Sequence, residues 1–216
     1  MRSIVYLLST PQPSAMPKTS AGYVWMIDPL DGTKEFTHGS PRFSIMVGLA
    51  KAGVPTLGIV YAPASGEWWY AQQGKGAFYK KGSVLSKIHV SAISDLADAR
   101  LVTRISGDKR ELDVIVEALR VKEKMPEGSI GIKIGRIAQG DFDLHVNTNF
   151  RASKWDVCAG HAILNEAGGL ISDLDGSPLN YLQDKTPLER SFIASNTLLH
   201  SLLLTEIKKV MPPAAR

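Results

Sequence analysis

The chain has 216 residues, 44% of them hydrophobic, and 25 Lys and Arg set against 21 Asp and Glu give a formal charge of +4. That balance fits one globular unit, and an excess of basic residues this small, with no clustering, excludes a nucleic-acid polymer as partner. A single cysteine, Cys158, rules out an intrachain disulfide or a thiol-built zinc site.

The pattern is that of an α/β protein. We read residues 1–216 as a single domain, with a metal-turn and antiparallel-sheet half over roughly 1–90 and a second α/β half over 91–216. The apolar run Ile4 to Leu8 is too short for a signal-peptide core and reads as a strand, and no membrane-length segment follows. Ser9 to Gly22, with Pro11, Pro13 and Pro17, reads as an extended loop. The lone cysteine and the missing membrane segment point to a reducing, cytoplasmic setting.

Tyr23 to Ile27 forms a short apolar strand ending at Asp28, where Pro29 and Gly32 signal a turn. Thr33 to Thr37 then predicts a short helix. Phe43 to Ala50, Thr56 to Tyr61, Glu67 to Ala71 and Ala77 to Tyr79 are separated by Gly and Pro signals and predict an antiparallel meander. Leu112, Ile115, Val116 and Leu119 recur at helical spacing, as do Leu199, Leu202, Leu203, Ile207 and Val210. Between them, a helix opens near Asp156 and ends at Gly168-Gly169, with strands at Leu170 to Ser172 and Phe192 to Ala194. The tail Pro212 to Arg216 reads as frayed.

Asp28-Pro29-Leu30-Asp31-Gly32-Thr33 carries most of the chemical information. Two carboxylates close together on a tight turn can converge on one hard cation such as magnesium, and Gly32 permits a close backbone approach. The free amides at the start of the following helix suit a phosphate oxygen. Asp-Pro and Asp-Gly are also common turn dipeptides, so an ordinary surface turn is the alternative. A metal site needs a third carboxylate, and Asp156 is the candidate; its alternative is a helix N-cap. His38, His89, His145, His161 and His200 show no metal-ligand spacing and read as structural or surface residues. Asp173-Leu174-Asp175-Gly176 reads as an ordinary turn, and Cys158 as a small apolar packing residue.

The segments Trp25-Met26-Ile27-Asp28-Pro29-Leu30-Asp31-Gly32-Thr33 and Lys154-Trp155-Asp156-Val157-Cys158-Ala159-Gly160-His161-Ala162 together resemble the two signature motifs of the inositol monophosphatase superfamily. Lys34-Glu35-Phe36, Arg104 and Lys133 look like its 3′(2′),5′-bisphosphate nucleotidase branch, whereas His38-Gly39 resembles the inositol monophosphatase branch. The resemblance implies a layered α-β-α-β-α sandwich, here lacking the N-terminal helices, and magnesium-dependent hydrolysis of a phosphate monoester by water.

It also implies roles for particular residues. Asp28, the Leu30 carbonyl, Asp31 and Asp156 are the implied metal ligands; Asp31 and Thr33 are the implied catalytic residues, Thr33 by positioning the attacking water. The amides of Gly32 and Thr33, with Ser129 and Lys133, are the implied substrate contacts. Without the resemblance, Lys133 reads equally as a solvated helix residue. The implied substrate is a small phosphorylated nucleotide such as 3′-phosphoadenosine 5′-phosphate, with an inositol or sugar monophosphate as the alternative, and the resemblance allows a homodimer. Members carry a Glu-Glu motif ahead of the first Asp turn; Thr10 and Pro11 stand in its place. A catalytically impaired chain acting as a binding or scaffold protein is therefore a further alternative.

Overall fold

The computed structural model describes residues 4–7, 22–105, 110–148, 152–182, 188 and 191–211. In chain order they form β1 (Ile4–Leu7), β2 (Tyr23–Asp31), α1 (Thr33–Thr37), β3 (Ser44–Lys51), β4 (Val54–Ala62), β5 (Glu67–Gln72), β6 (Gly76–Lys81) and β7 (Val84–Ile88). There follow β8 (Arg100–Arg104), α2 (Arg110–Leu119), β9 (Glu123–Glu127), α3 (Ile130–Ala138), β10 (Leu144–Asn147), α4 (Lys154–Glu166), β11 (Gly169–Asp173), β12 (Phe192–Asn196) and α5 (Thr197–Val210).

The first seven strands lie in sequence order in one sheet, antiparallel except for the parallel β1–β2 pair. Alternation sets its inner face: Met46, Val60, Trp69 and Ala77 point the same way and bury completely. The second sheet has the order β11-β12-β10-β8-β9, and β10, β8 and β9 run parallel. Helices α3 and α4 lie between the sheets, sharing one core with both. Helices α2 and α5 cover the far face of the second sheet, where Leu112, Ile115, Leu199 and Leu203 meet Leu101, Leu144 and Ile193. The layers of the described residues therefore run β-α-β-α, which is the expected sandwich without its N-terminal helices.

Two glycines let α4 lie directly on the first sheet. A Cβ at Gly58 would stand 2.0 Å from the Ala159 carbonyl oxygen, and one at Gly48 would stand 2.9 Å from the Cys158 sulfur. Backbone thus meets backbone, and α4 is held at a fixed height over β3 and β4. Cys158 is fully buried there, in line with its reading as an apolar packing residue.

Some expectations are corrected. The strand expected to end at Asp28 runs on to Asp31 through an irregularity in its pairing with β3. The strands β7 to β10 were not anticipated. Four of the five β7 residues are exposed, β9 reads Glu-Lys-Met-Pro-Glu on a sheet edge, and both lack the apolar alternation that marks a strand. The bulk of the expected Ser9 to Gly22 loop, Thr10 and Pro11 included, and the Pro212 to Arg216 tail lie outside the described residues.

Candidate active site

Residues three apart in a regular strand point to opposite faces, so Asp28 and Asp31 could not cooperate on an undistorted β2. The structure inserts one extra residue. Asp28 pairs with Met46 and Asp31 with Ser44, so Pro29 and Leu30 together oppose the single residue Ile45. This bulge returns both carboxylates to the same face. The Asp28 Oδ1 accepts a hydrogen bond from the Leu30 amide at 2.9 Å, and the Thr33 hydroxyl donates to the Leu30 carbonyl at 2.9 Å. Gly32 sits at φ 85°, and a Cβ there would stand 2.8 Å from the Arg42 carbonyl oxygen. Only glycine turns the chain from β2 into α1 at that point.

Asp31 is held from behind by the start of α3. Its Oδ2 accepts from the Ser129 hydroxyl at 2.5 Å and from the Gly131 amide at 3.0 Å. A hydroxyl has one proton, and that of Ser129 goes to Asp31; its lone pairs face the Ile132 amide at 3.0 Å and the Ser44 hydroxyl at 2.8 Å. Ser129 is fully buried. The residue expected at the substrate therefore caps α3 and orients Asp31, with no capacity left for a further partner.

Asp156 arrives from α4. The N-cap of that helix is Ser153, and Asp156 occupies the third helical position, where its Oδ2 accepts from the Ser153 amide at 2.8 Å. The cap alternative is thus partly met, but through the reciprocal arm of a capping box. The Asp156 carboxyl stands beside that of Asp28, close enough for each to shift the other's ionisation. Asp28, Asp31 and Asp156 therefore come together from two distant segments.

Their electrostatics follow from that crowding. Burial, reinforced by the charge of Asp28, pushes Asp31 up to about 6 despite the opposing hydrogen bonds and the Lys133 charge. Burial also raises Asp28, against the Leu30 amide, and raises Asp156 well above the usual carboxylate range, helped by the charge of Asp31. Among the described residues no three His, Cys, Asp or Glu side chains stand at joint metal-coordinating distance. One Asp31 oxygen is turned to Ser129 and Gly131, and one Asp156 oxygen to Ser153. The chemistry of Asp28, Asp31 and Asp156 nevertheless fits a hard divalent cation: three carboxylates, each destabilised as an anion by burial.

Lys133 is 3% exposed, which overturns the solvated reading. Its ammonium donates to the Gly128 carbonyl at 3.2 Å, and burial lowers its pKa against the charges of Asp31, Glu127 and Glu35. Glu127 was missed in the sequence. It ends β9, is 8% exposed, accepts from the Gly128 amide at 2.7 Å, and is pushed up by burial. The available signal was its place at the carboxyl end of a parallel strand, where α/β sheets gather their ligands, but β9 itself was not legible.

The histidines stay out of the Asp cluster. His161 bonds to the Tyr181 hydroxyl, His200 bridges Ser172 and Ser195, and His38 and His89 are exposed. Asp173 closes a local turn through the amides of Asp175 and Ser177, in keeping with its reading.

The model of the inositol monophosphatase family matches residues 8–211. The chain belongs to the inositol monophosphatase family. Among curated proteins it is 31% identical over 193 residues to the fructose-1,6-bisphosphatase/inositol-1-monophosphatase of Thermotoga maritima, covering 87% of this chain and 69% of that protein. It is also 31% identical over 173 residues to the 3′(2′),5′-bisphosphate nucleotidase CysQ of Aggregatibacter actinomycetemcomitans, covering 80% of this chain and 64% of that protein. Among solved structures, the inositol monophosphatase from Anabaena (Nostoc) sp. PCC 7120 superimposes with a TM-score of 0.76 at 31% identity, over 90% of this chain and 78% of that one. Within this inositol monophosphatase fold the bulged β2 and the start of α4 bring the Asp cluster together. Among the described residues no helix is long and apolar enough to cross a membrane.

Proposed function

We propose that this chain is a magnesium-dependent phosphomonoesterase acting on a small phosphorylated nucleotide such as 3′-phosphoadenosine 5′-phosphate. One observation carries the reading: Asp28, Asp31 and Asp156, all raised by burial, gather beside a buried lysine at the end of a bulged strand. Asp28, the Leu30 carbonyl, Asp31 and Asp156 would hold the metal, which when bound supplies charge stabilisation and a water of lowered pKa.

The protein's own groups do the rest. The Thr33 hydroxyl gives its proton to Leu30, so its oxygen is left to accept one from the attacking water. The Gly32 amide, at the N-cap of α1, and the Thr33 amide, in its first turn, would hold the phosphoryl oxygens. Ser129 holds Asp31 in one rotamer, and Lys133 offers its charge to an anionic group on the substrate. Lys133 and Arg104 favour the nucleotide reading, in company with the similarity to the nucleotidase CysQ. The similarity to inositol monophosphatases favours an inositol or sugar monophosphate as the second reading.

A third reading, a non-catalytic binding protein, rests on Thr10 and Pro11. Assays of phosphate release from the nucleotide, an inositol phosphate and a sugar phosphate separate the three. Equal rates on all substrates defeat the nucleotide assignment, and magnesium-dependent release lost in Asp156→Asn defeats the non-catalytic one. A cytoplasmic setting belongs to the same proposal, as does a homodimer, which sedimentation would test.

A further inference from the structure

Strand alternation gives the first sheet a second face, turned away from α3 and α4. Ile27, Val47, Ile59, Tyr70 and Phe78 stand abreast on it, one from each strand of β2 to β6. Trp25, Leu49 and Leu57 form the row two residues to one side, and Ile45, Tyr61 and Trp68 the row to the other. All of these side chains are half-buried or exposed, Ile45 at 38% and Trp68 at 37%, and none belongs to a buried core cluster. The helices that pack most closely on these strands, α3 and α4, lie on the opposite face, where Gly48 and Gly58 admit α4.

The make-up of this face is that of a surface meant to be covered. Its β2 and β3 side is mostly aliphatic and its β5 and β6 side aromatic, with Trp68 stacked on Tyr61 at 3.9 Å between ring centres and Tyr70 on Phe78 at 5.6 Å. Charge is kept to the margins: Lys51 ends β3, and Lys80 and Lys87 lie on β6 and β7. Interfaces share that plan, a centre rich in aromatic residues and poor in charge within a polar rim. Five strands about 4.8 Å apart, carrying three rows of side chains, give a footprint on the order of 500 Å². Two such faces together reach the roughly 1,000 Å² that a specific interface requires. A single helix, about 10 Å across, would cover less than half of it.

Resting on the homodimer reading, we infer that this face is where two copies of the chain meet, sheet against sheet, about a two-fold axis lying along β4. That axis lays β5 and β6 of one copy over β3 and β2 of the other, so rings meet aliphatic side chains and Ile59 meets its own counterpart. The lysines of β6 and β7 then fall at the edges, in water.

Sedimentation velocity at tens of micromolar is expected to show the parent protein as a dimer and Ile59→Lys as a monomer, the dissociation constant raised at least about a hundredfold. Val114→Lys, at an exposed position of α2, is expected to leave the dimer intact. Dilution of the parent protein is expected to shift tryptophan emission to the red as Trp25 and Trp68 return to water, since Trp69 and Trp155 stay buried within each copy. Far-ultraviolet circular dichroism checks that Ile59→Lys is folded, and Trp68→Lys repeats the measurement at a side chain that already stands in the open. A dimer that survives both substitutions, or that dissociates without the emission shift, would overturn this face and leave the homodimer reading in place. A parent protein that stays monomeric, or that grows into open-ended oligomers, would overturn both.

Discussion

Asp28, in the bulge of β2, and Asp156, in the first turn of α4, stand close enough for each to act on the other's ionisation. Burial raises all three carboxyls of the cluster, Asp31 to about 6, so the metal-free site favours a proton where a cation would sit. Magnesium binding is then coupled to proton release. Calorimetry in buffers of different ionisation enthalpy is expected to show protons leaving on magnesium addition at pH 6, and no buffer dependence would contradict the raised carboxyls.

Asp156 can be separated into its two roles. Asp156→Asn keeps an oxygen for the Ser153 amide and removes the charge, so folding stability is expected to hold while phosphate release falls at least about a hundredfold. Asp156→Ala removes the capping arm as well and is expected to cost about 1 kcal/mol of stability, read from denaturant unfolding. Equal stability in both variants would show that the capping arm contributes nothing.

Asp31 makes the metal-free fold sensitive to pH. Burial pushes it up to about 6 in the folded chain, against an ordinary 3.8, so the unfolded chain gives up its proton first. The stability associated with this group is fully present below about pH 4 and is lost as pH rises through 6. The gap corresponds to about 3 kcal/mol at most. Asp28, Asp156 and Glu127 are also raised and act in the same direction, whereas Glu67 and Asp143 are lowered and lose stability as pH falls. Melting temperatures from pH 4 to 7 without metal are expected to decline less in Asp31→Asn than in the parent protein.

The Gly58→Ala substitution probes the placement of α4. The added methyl meets the Ala159 carbonyl oxygen at 2.0 Å, so the helix must move away from β4 and carry Asp156 with it. Overpacking of this kind costs about 1 to 3 kcal/mol. Magnesium affinity is expected to fall along with the melting temperature, and a loss of stability with unchanged magnesium affinity would show that Asp156 is positioned independently of this contact.

Lys133 is expected to act on substrate affinity. In Lys133→Met the KM for 3′-phosphoadenosine 5′-phosphate rises about tenfold or more, the loss of a charge-assisted contact, with a smaller change for a single-phosphate substrate. Equal changes for both would place Lys133 in support of Asp31 instead.

The Asp28-to-Thr33 turn and the Asp156 segment could be read directly, because Pro, Gly and paired carboxylates are local signals and the resemblance tied the two segments together. The bulge that makes Asp28 and Asp31 cooperate was not legible, since it shows only in the pairing of β2 with β3. The commitment of the Ser129 hydroxyl to Asp31 and Ser44 was hidden for the same reason, since both partners lie far away in the chain. Strand β9 carries Glu127, and its burial comes from neighbouring strands and helices, so that residue did not stand out from composition.

The most direct test of the central claim is to titrate magnesium into the protein by calorimetry with 3′-phosphoadenosine 5′-phosphate present, following phosphate release in the same samples. Saturable magnesium binding with release that tracks occupancy, both lost in Asp156→Asn, is the predicted result. Neither binding nor release would contradict it, and would mean that the Asp cluster keeps the family's geometry without its chemistry.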